Sequence, residues 1–363
     1  MHRHVLFIGF LLCALCAVLL AQNTSAPGPS FTARQAERGL ELYKAQWKAR
    51  NEVTDFVAPL EPFKIAGNLY FIGIGNGDAY LLTSPQGHIM FGTGFNNTQA
   101  GIENNIQKLG FKVTDIKAIL INHNHGNQTG GASYFKEKSG AQLMAGFAEI
   151  PYIEHGGSLP TPAAAAGAPR GQAPAAQGRG GQPTGPPPSQ LNNNPFGIFR
   201  MPIGGMNVYQ PARVDRALFN TDVISVGPLS VTAYLIPLHT LGSASYVYTV
   251  REGNRDLKVI QYCCWELLDD YGPSPNISEA AFQYSFDTLR TLMPVDIYLE
   301  SGTWAWGGLM SLPMQMTWAE KIAKLRADPK LFLDREIFPA ITAAREVSFK
   351  QNMAKLRTGS TLR

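Results

Sequence analysis

Residues 121–131 read INHNHGNQTGG, a loop in which two histidines two positions apart are followed by a pair of glycines. Two imidazoles at this spacing on an irregular loop can turn toward one ion, and neutral imidazole is a favoured ligand of zinc. His239, which follows a later predicted strand, can supply a third ligand and leave the fourth position for water. A histidine in a loop is ordinarily solvated or bound to the backbone, so spacing alone leaves both interpretations of His123 and His125 open.

The segments on either side of this loop predict an α/β domain. AILIN (118–122) predicts the strand that leads into the loop, ASYFKEKSG (132–140) a helix, and AQLMAG (141–146) the next strand. Upstream, residues 63–94 form short β-branched and aromatic runs separated by turn residues, which predict three or four antiparallel strands before a helix over 99–109. This alternation of strands and helices is typical of an α/β fold.

The later part of the chain predicts a second group of strands. Two runs within residues 223–250 flank the loop PLHTLGS, which carries His239. The other predicted elements are a strand over 258–266, a helix over 278–292, a strand over 296–300, a helical region over 316–357 and an N-terminal amphipathic helix over 32–50.

Composition limits the class of protein. A chain of 363 residues that is 45% hydrophobic can bury one large core or two small ones. The formal charge of +4 is mild and the basic residues are scattered, which argues against a nucleic-acid partner. Residues 157–195 are dominated by Pro, Gly, Ala, Gln and Asn, and they carry too little apolar surface to offset the entropy of ordering. They predict a disordered insertion.

The N-terminus has the pattern of a secretory signal. Residues 1–21 combine a short basic start with a continuous apolar run, which ends at the small residue Ala21. The run is short for a membrane span and has no stop-transfer flank. Cleavage after Ala21 predicts an exported protein, periplasmic or extracellular, that is free of the membrane; a retained N-terminal anchor is the alternative. Only Cys263 and Cys264 would remain, which excludes a scaffold stapled by several disulfides.

Six segments of the chain resemble the metallo-β-lactamase superfamily, and within it the subclass B3 enzymes. The segments are EPFKIAGNLYFIG, YLLTSPQGHIMFGTG, NIQKLGFKVTDIKAILINHNH, GGASYFKEKSGAQLMAG, PLHTLGSASY and FDTLRTLMPVDIYLES. The resemblance covers most of residues 60–355 apart from the insertion. It implies an α/β fold of the αββα four-layer sandwich type, with the metal site at one edge of two mixed sheets. It also implies a metallo-β-lactamase-like domain over 61–357, after a helical extension over 22–60.

The resemblance implies a complete first zinc site. The family loop runs H-x-H-x-D-H-x-G-G, and its first two histidines fall on His123 and His125. A later family histidine falls on His239. These three residues are the ligands of the family's first zinc.

The second zinc site of the family is degenerate in this chain. The family aspartate of the loop falls on Asn127, and the histidine after it falls on Gln128. The C-terminal histidine falls at about Gly302, and the aspartate of a strand-end D-T-G motif falls on Gly92. Because every ligand unique to the second zinc is replaced, we expect one Zn²⁺ per chain.

Four further residues are candidates for supporting roles. Asn127 is the candidate for positioning water, since a neutral amide can hydrogen-bond a water but is a poor zinc ligand and no general base. Gln128, Cys264 and Glu300 are candidate substitute or supporting ligands, the thiolate being the best of the three for zinc. Alternatively, Cys264 and its neighbour Cys263 are small buried hydrophobes or a vicinal disulfide, and Glu300 is ion-paired.

Two functions follow from these observations. The first is a secreted zinc-dependent hydrolase that attacks a lactam, lactone or other ester or amide by metal-bound hydroxide, with a small molecule as its substrate. The second is a catalytically inactive relative, a pseudoenzyme that keeps the fold and the groove for binding, because a fold alone does not confer activity. The sequence does not indicate the oligomeric state.

Overall fold

The computed structural model describes residues 31–52, 57–75, 77–157, 208–264, 278–303 and 306–358. The predicted signal at 1–21 and nearly all of the predicted insertion at 157–195 lie outside the described residues. Among the described residues, no helix is both long and apolar enough to cross a membrane.

The first sheet has seven strands in the described residues, in sequence order from edge to edge. They are β1 Phe63–Ala66, β2 Leu69–Phe71, β3 Tyr80–Leu82, β4 His88–Phe91, β5 Ile116–Ile121, β6 Gln142–Gly146 and β7 Arg216–Leu218. The strands β1 to β4 pair antiparallel, as expected from residues 63–94, and β4 to β7 pair parallel. The carboxyl ends of the parallel strands therefore meet at one edge, where α/β sheets place functional groups.

The second sheet has five strands in the described part of the chain, in the order β12-β11-β10-β9-β8. They are β8 Val223–Val226, β9 Leu229–Leu235, β10 Ala244–Glu252, β11 Arg255–Tyr262 and β12 Ile297–Glu300. The neighbours from β8 to β11 pair antiparallel, and β12 runs parallel to β11. Both sheets are therefore mixed.

Helices cover the outer faces of the two sheets. They are α1 Ala33–Glu52, α2 Gln99–Lys108, α3 Gly126–Thr129, α4 Ala132–Ser139, α5 Ile150–Ile153, α6 Glu279–Thr291, α7 Gly307–Met310, α8 Trp318–Ala327 and α9 Ile337–Arg357. Short 3₁₀ turns occupy Val113–Asp115, Phe147–Glu149 and Pro329–Phe332. The helices predicted over 99–109, 132–140 and 278–292 thus lie within two residues of their expected positions.

Three apolar clusters fill the spaces between the layers. The largest lies between the sheets and joins residues such as Phe91, Leu120, Tyr246 and Val259. A second packs the first sheet against α2 and α4, and a third packs the other sheet against α1, α6 and α9. Full burial of one large aliphatic or aromatic side chain contributes about 1.5–3 kcal/mol. The order helix, sheet, sheet, helix confirms the predicted αββα four-layer sandwich.

Candidate metal centre

The first histidine loop, residues 122–125, follows β5 and is bonded to the opposite sheet. The amide of Asn122 donates to the carbonyl of Ala244 at 2.9 Å, and the Ala244 N–H donates to the Asn122 carbonyl at 2.8 Å. The Tyr246 hydroxyl donates to the Ile121 carbonyl at 2.7 Å. Since Ala244 and Tyr246 belong to β10, the loop begins where the two sheets meet, and His123 is fully buried there.

The glycine pair after the loop allows a close approach of two backbone segments. A Cβ atom on Gly130 would lie 2.3 Å from the Asn96 nitrogen and 2.6 Å from the Gly126 carbonyl oxygen. Real side chains do not tolerate contacts this short. The glycine therefore lets the helical turn α3 pack against the segment that follows β4.

The three predicted ligands converge. The rings of His123, His125 and His239 have pairwise centroid distances of 4.6–4.8 Å and interplanar angles of 87–89°. His239 Nε2 lies 2.9 Å from His125 Nδ1. Two nitrogens bound to one tetrahedral zinc at about 2.0–2.1 Å lie about 3.3 Å apart, so the separation of these two nitrogens is close to that in a zinc site.

Two of the three imidazoles, those of His123 and His125, are held in the neutral form that binds metals. Burial lowers the pKa of His125 to about 3, with a smaller contribution from His239. Burial lowers the pKa of His123 well below its ordinary value, and the other two histidines lower it further. At neutral pH the ring nitrogens of His123 and His125 therefore keep lone pairs available to an ion.

Cys264 lies beside the histidines, and both adjacent cysteines are free thiols. Its Sγ is 3.8 Å from His123 Nε2, and ligand atoms of His123, His239 and Cys264 all lie within 4.8 Å of one another. Burial raises the pKa of Cys264 well above its ordinary value, and the neighbouring Cys263 raises it further. Cys264 is therefore a thiol that could join the site only by losing its proton to the solvent.

The residues at the second zinc position do not fit a second ion. Gln128 Nε2 donates to Asp78 Oδ2 at 3.4 Å, and the Gly302 N–H donates to the same oxygen. Burial raises the pKa of Asp78 well above its ordinary value, which favours the protonated carboxyl. Asp78 Oδ1 and Gln128 Oε1 accept no hydrogen bond within the described residues, but two oxygens fall short of the about four ligands that zinc takes.

Gly92 lies against Asp78 and Gln128. Its φ of 65° is left-handed, and a Cβ atom there would lie 2.6 Å from the Asp78 carbonyl oxygen and 2.7 Å from Gln128 Oε1. The Gln128 amide thus occupies the space in which a side chain at position 92 would begin. The replacements at positions 92 and 128 are physically linked.

The remaining predicted site residues have varied surroundings. The Asn127 side chain raises the pKa of His123, against the larger effect of burial. Glu300 is buried, accepts a hydrogen bond from the Tyr298 hydroxyl and lies 3.7 Å from the Arg345 guanidinium. The geometry thus favours a structural ion pair for Glu300 rather than a place among the ligands.

Sequence reasoning missed two buried carboxyls near the histidines, Asp78 and Glu149. Glu149 is 1% exposed and accepts hydrogen bonds from Asn124 and Thr240, the residues next to the predicted ligands in the chain. Burial raises its pKa, although these donors oppose the effect. Neither residue has a spacing to the histidines that a sequence motif could register, because the contacts form only when distant strands come together.

Comparison with known proteins identifies the fold family. The model of the metallo-beta-lactamase superfamily matches residues 72–252, the part of the chain that carries all three histidines. The match supports the interpretation of the chain as a metal-dependent hydrolase with a metal cofactor.

Solved structures give the same fold over most of the chain. The subclass B3 metallo-beta-lactamase BJP-1 of Bradyrhizobium japonicum is 23% identical, with a TM-score of 0.59 over 84% of this chain and 98% of its own. MEM-A1, a subclass B3 metallo-beta-lactamase from a soil metagenome library, is 23% identical, with a TM-score of 0.61 over 84% of this chain and 100% of its own. A beta-lactamase from Chitinophaga pinensis is 21% identical, with a TM-score of 0.60 over 83% and 97%. The match of the family model to residues 72–252 shows that the chain belongs to the metallo-beta-lactamase superfamily, and the solved structures show that it has their fold.

Proposed function

We propose that this protein is a hydrolase that uses one zinc ion per chain to open a lactam, a lactone or another small ester or amide. The observation that carries the proposal is the convergence of three imidazoles, those of His123, His125 and His239, at the edge of the sandwich. Three histidines with one open position are a known ligand set of catalytic zinc. Zinc bound there supplies a Lewis acid that polarises a carbonyl and lowers the pKa of water toward neutrality.

The chain's own residues prepare this site in three ways. Burial keeps His123 and His125 unprotonated, so binding of a cation does not have to displace protons from them. Asn127 raises the pKa of His123 against the larger effect of burial, and we assign to its side chain the orientation of the His123 ring. We assign to Asn127 the further role of positioning water, because its amide is the polar side chain of this loop next to the ligands.

One ion, rather than two, is supported by the cluster around Asp78. Gln128 and Gly302 turn N–H donors toward Asp78, where a metal site needs lone pairs. The departing group of an amide would have no second cation to stabilise its charge. Esters and lactones, whose leaving groups are better, are therefore favoured over lactams.

The test is metal analysis of the purified protein after extensive dialysis, with turnover of a lactam and a lactone series. Wild type should retain one zinc per chain, and His239→Ala should retain none, because two imidazoles from one loop hold the ion far more weakly. His155→Ala is the matched control, since His155 is an exposed histidine that contacts the Pro151 carbonyl. Zero or two zinc ions in wild type would contradict the proposal.

A second candidate function is favoured by Cys264. Its Sγ lies near ligand atoms of two histidines, so a thiolate there would complete four-coordination and leave no position for water. The protein would then be a pseudoenzyme with a closed metal site. Cys264→Ser distinguishes the two: the hydrolase keeps its zinc and its turnover, whereas the closed site loses affinity for zinc.

Export is part of the proposal. The apolar run before Ala21 supports a cleaved secretory signal and a periplasmic or extracellular location. N-terminal sequencing of protein from an exporting host should give Gln22 as the first residue. Recovery of the uncleaved chain in the membrane fraction would overturn this location.

A further inference from the structure

Glu149 accepts four hydrogen bonds from residues that adjoin the metal ligands. It ends the 3₁₀ turn that follows β6. Its Oε2 accepts from the N–H of Asn124 at 2.7 Å and from the Asn124 amide at 2.6 Å. Its Oε1 accepts from the Thr240 hydroxyl at 2.8 Å and from the Gly242 N–H at 2.7 Å. The carboxyl is buried and both of its oxygens are fully used.

The two oxygens serve two different loops. Asn124 lies between His123 and His125 in the first histidine loop, which leaves the first sheet. Thr240 follows His239 in the second histidine loop, residues 236–243, which links two strands of the other sheet. The donors are separated from Glu149 by 25 residues on one side and by 91 and 93 residues on the other.

We propose that Glu149 is a positioning residue, which holds the two histidine loops at the separation where their three imidazoles bind one metal ion. This role of Glu149 rests on the proposed function, because it assumes that the three histidines are the metal ligands. Glu149 acts through Asn124, Thr240 and Gly242 of the two loops and does not bind the ion. Groups that orient metal ligands in this way typically change metal affinity about 10–100-fold when they are removed.

A carboxylate suits this position for two reasons. Hydrogen bonds to an ionised acceptor are shorter and about twice as strong as neutral ones, and all four here are 2.6–2.8 Å long. In addition, three neutral imidazoles leave the full charge of a divalent cation uncompensated in a buried site, and a nearby buried anion offsets part of it.

The substitution Glu149→Gln removes the hydrogen bonds to one of the two histidine loops with little change in side-chain volume. Glutamine keeps one acceptor oxygen and replaces the other with an NH₂ group, which would face either the two N–H donors of Asn124 or the Gly242 N–H and the Thr240 hydroxyl. One loop keeps its hydrogen bonds while the other is released. Glu154→Gln is the matched control, because Glu154 is an exposed glutamate five residues later that accepts from the Val214 N–H at 3.0 Å and touches neither loop.

The experiment measures zinc affinity by competition with a chromogenic chelator, and the absorption spectrum of the cobalt(II)-loaded protein. We expect Glu149→Gln to raise the Kd for zinc at least tenfold and to shift the cobalt(II) d–d bands, which report ligand geometry. Glu154→Gln should change neither. A purely structural glutamate would lower the melting temperature but leave the Kd and the spectrum of the folded protein as in wild type, and that result would overturn the proposal.

A milder variant keeps the proposal testable if Glu149→Gln does not fold. Thr240→Val removes one of the four donors and keeps the charge, so it should raise the Kd for zinc by a smaller factor in a folded protein. An unchanged Kd in Thr240→Val, with Glu149→Gln unfolded, would count against the positioning role.

Hydrogen exchange of the metal-free protein separates this inference from the proposed function. If wild type binds no zinc, the proposed function fails. Glu149→Gln should nevertheless speed the exchange of the backbone N–H of either Asn124 or Gly242, because one of these two groups loses its acceptor. Unchanged exchange at both amides would overturn the positioning role, whatever the metal content.

Discussion

Replacing Gly92 with alanine tests whether the cluster of Asp78 and Gln128 excludes a side chain at position 92. A non-glycine residue in the left-handed region costs about 1–2 kcal/mol. The new Cβ atom would also lie 2.6 Å from a backbone oxygen and 2.7 Å from Gln128 Oε1. Overpacking of this kind typically costs about 1–3 kcal/mol. We therefore expect Gly92→Ala to destabilise the protein by about 2–5 kcal/mol.

Gly140→Ala is the matched control for the backbone contribution. Gly140 has a φ of 70°, close to the 65° of Gly92, and no atom lies within 4 Å of the position of its Cβ. Gly140→Ala should therefore lower the free energy of unfolding by only about 1–2 kcal/mol, which is the cost of the left-handed conformation. The difference between the two variants, about 1–3 kcal/mol, measures the steric contact at Gly92.

The assay is urea denaturation of wild type and both variants in the metal-free state, followed by circular dichroism. If Gly92→Ala and Gly140→Ala shift the midpoint equally at the same slope, the steric argument is refuted. The double variant Gly92→Ala with Gln128→Ala should recover part of the loss, because it removes one of the two close contacts and leaves the backbone contact. Confirmation would show that a side chain at position 92 requires both Gln128 and the backbone at Asp78 to shift.

Three other predictions follow from the site and its surroundings. Asn127→Asp should strengthen zinc binding, because it places a carboxylate beside the ligands. Gln128→His should strengthen zinc binding less, since residue 128 is buried against Asp78. A chelator titration that ranks the two variants in the reverse order would contradict the proposed zinc site. Arg335→Ala should destabilise the protein at neutral pH, and its deficit in urea midpoint should shrink as the pH falls below about 4. Burial alone would raise the pKa of Asp296, but the Arg335 guanidinium and the Lys258 N–H outweigh burial and hold this pKa below its ordinary value. The contribution of the Arg335–Asp296 pair to stability is therefore present above the unfolded pKa of Asp296 and is lost as the pH falls through the lower folded pKa. A deficit independent of pH would contradict this prediction. Replacing residues 157–195 with a short Gly/Ser linker should leave the melting temperature nearly unchanged, and a large drop would show that the segment packs.

Local pattern was sufficient to predict most of the secondary structure. The strand expected over 118–122 is Ile116–Ile121, and the helix expected over 278–292 is Glu279–Thr291, whose N-terminus is capped by the Ser278 side chain. Periodicity, caps and turn residues act within a few positions of the chain, so they can be recognised without tertiary structure. The three histidines could also be named in advance, because the loops that carry them follow recognisable strands.

The residues that complete the site could not be predicted from the sequence, because their roles depend on contacts between the two sheets. Glu149 becomes a link between the histidine loops only when β5, β6 and the loop before β10 are brought together. Cys264 comes within 4 Å of His123 across 141 positions of sequence. Gly92 is explained by the Gln128 amide that fills its side-chain space. The sequence by itself determined the elements and the three candidate metal ligands, and the tertiary structure alone decided what surrounds them, since burial and hydrogen bonding between distant segments exist only in the folded chain.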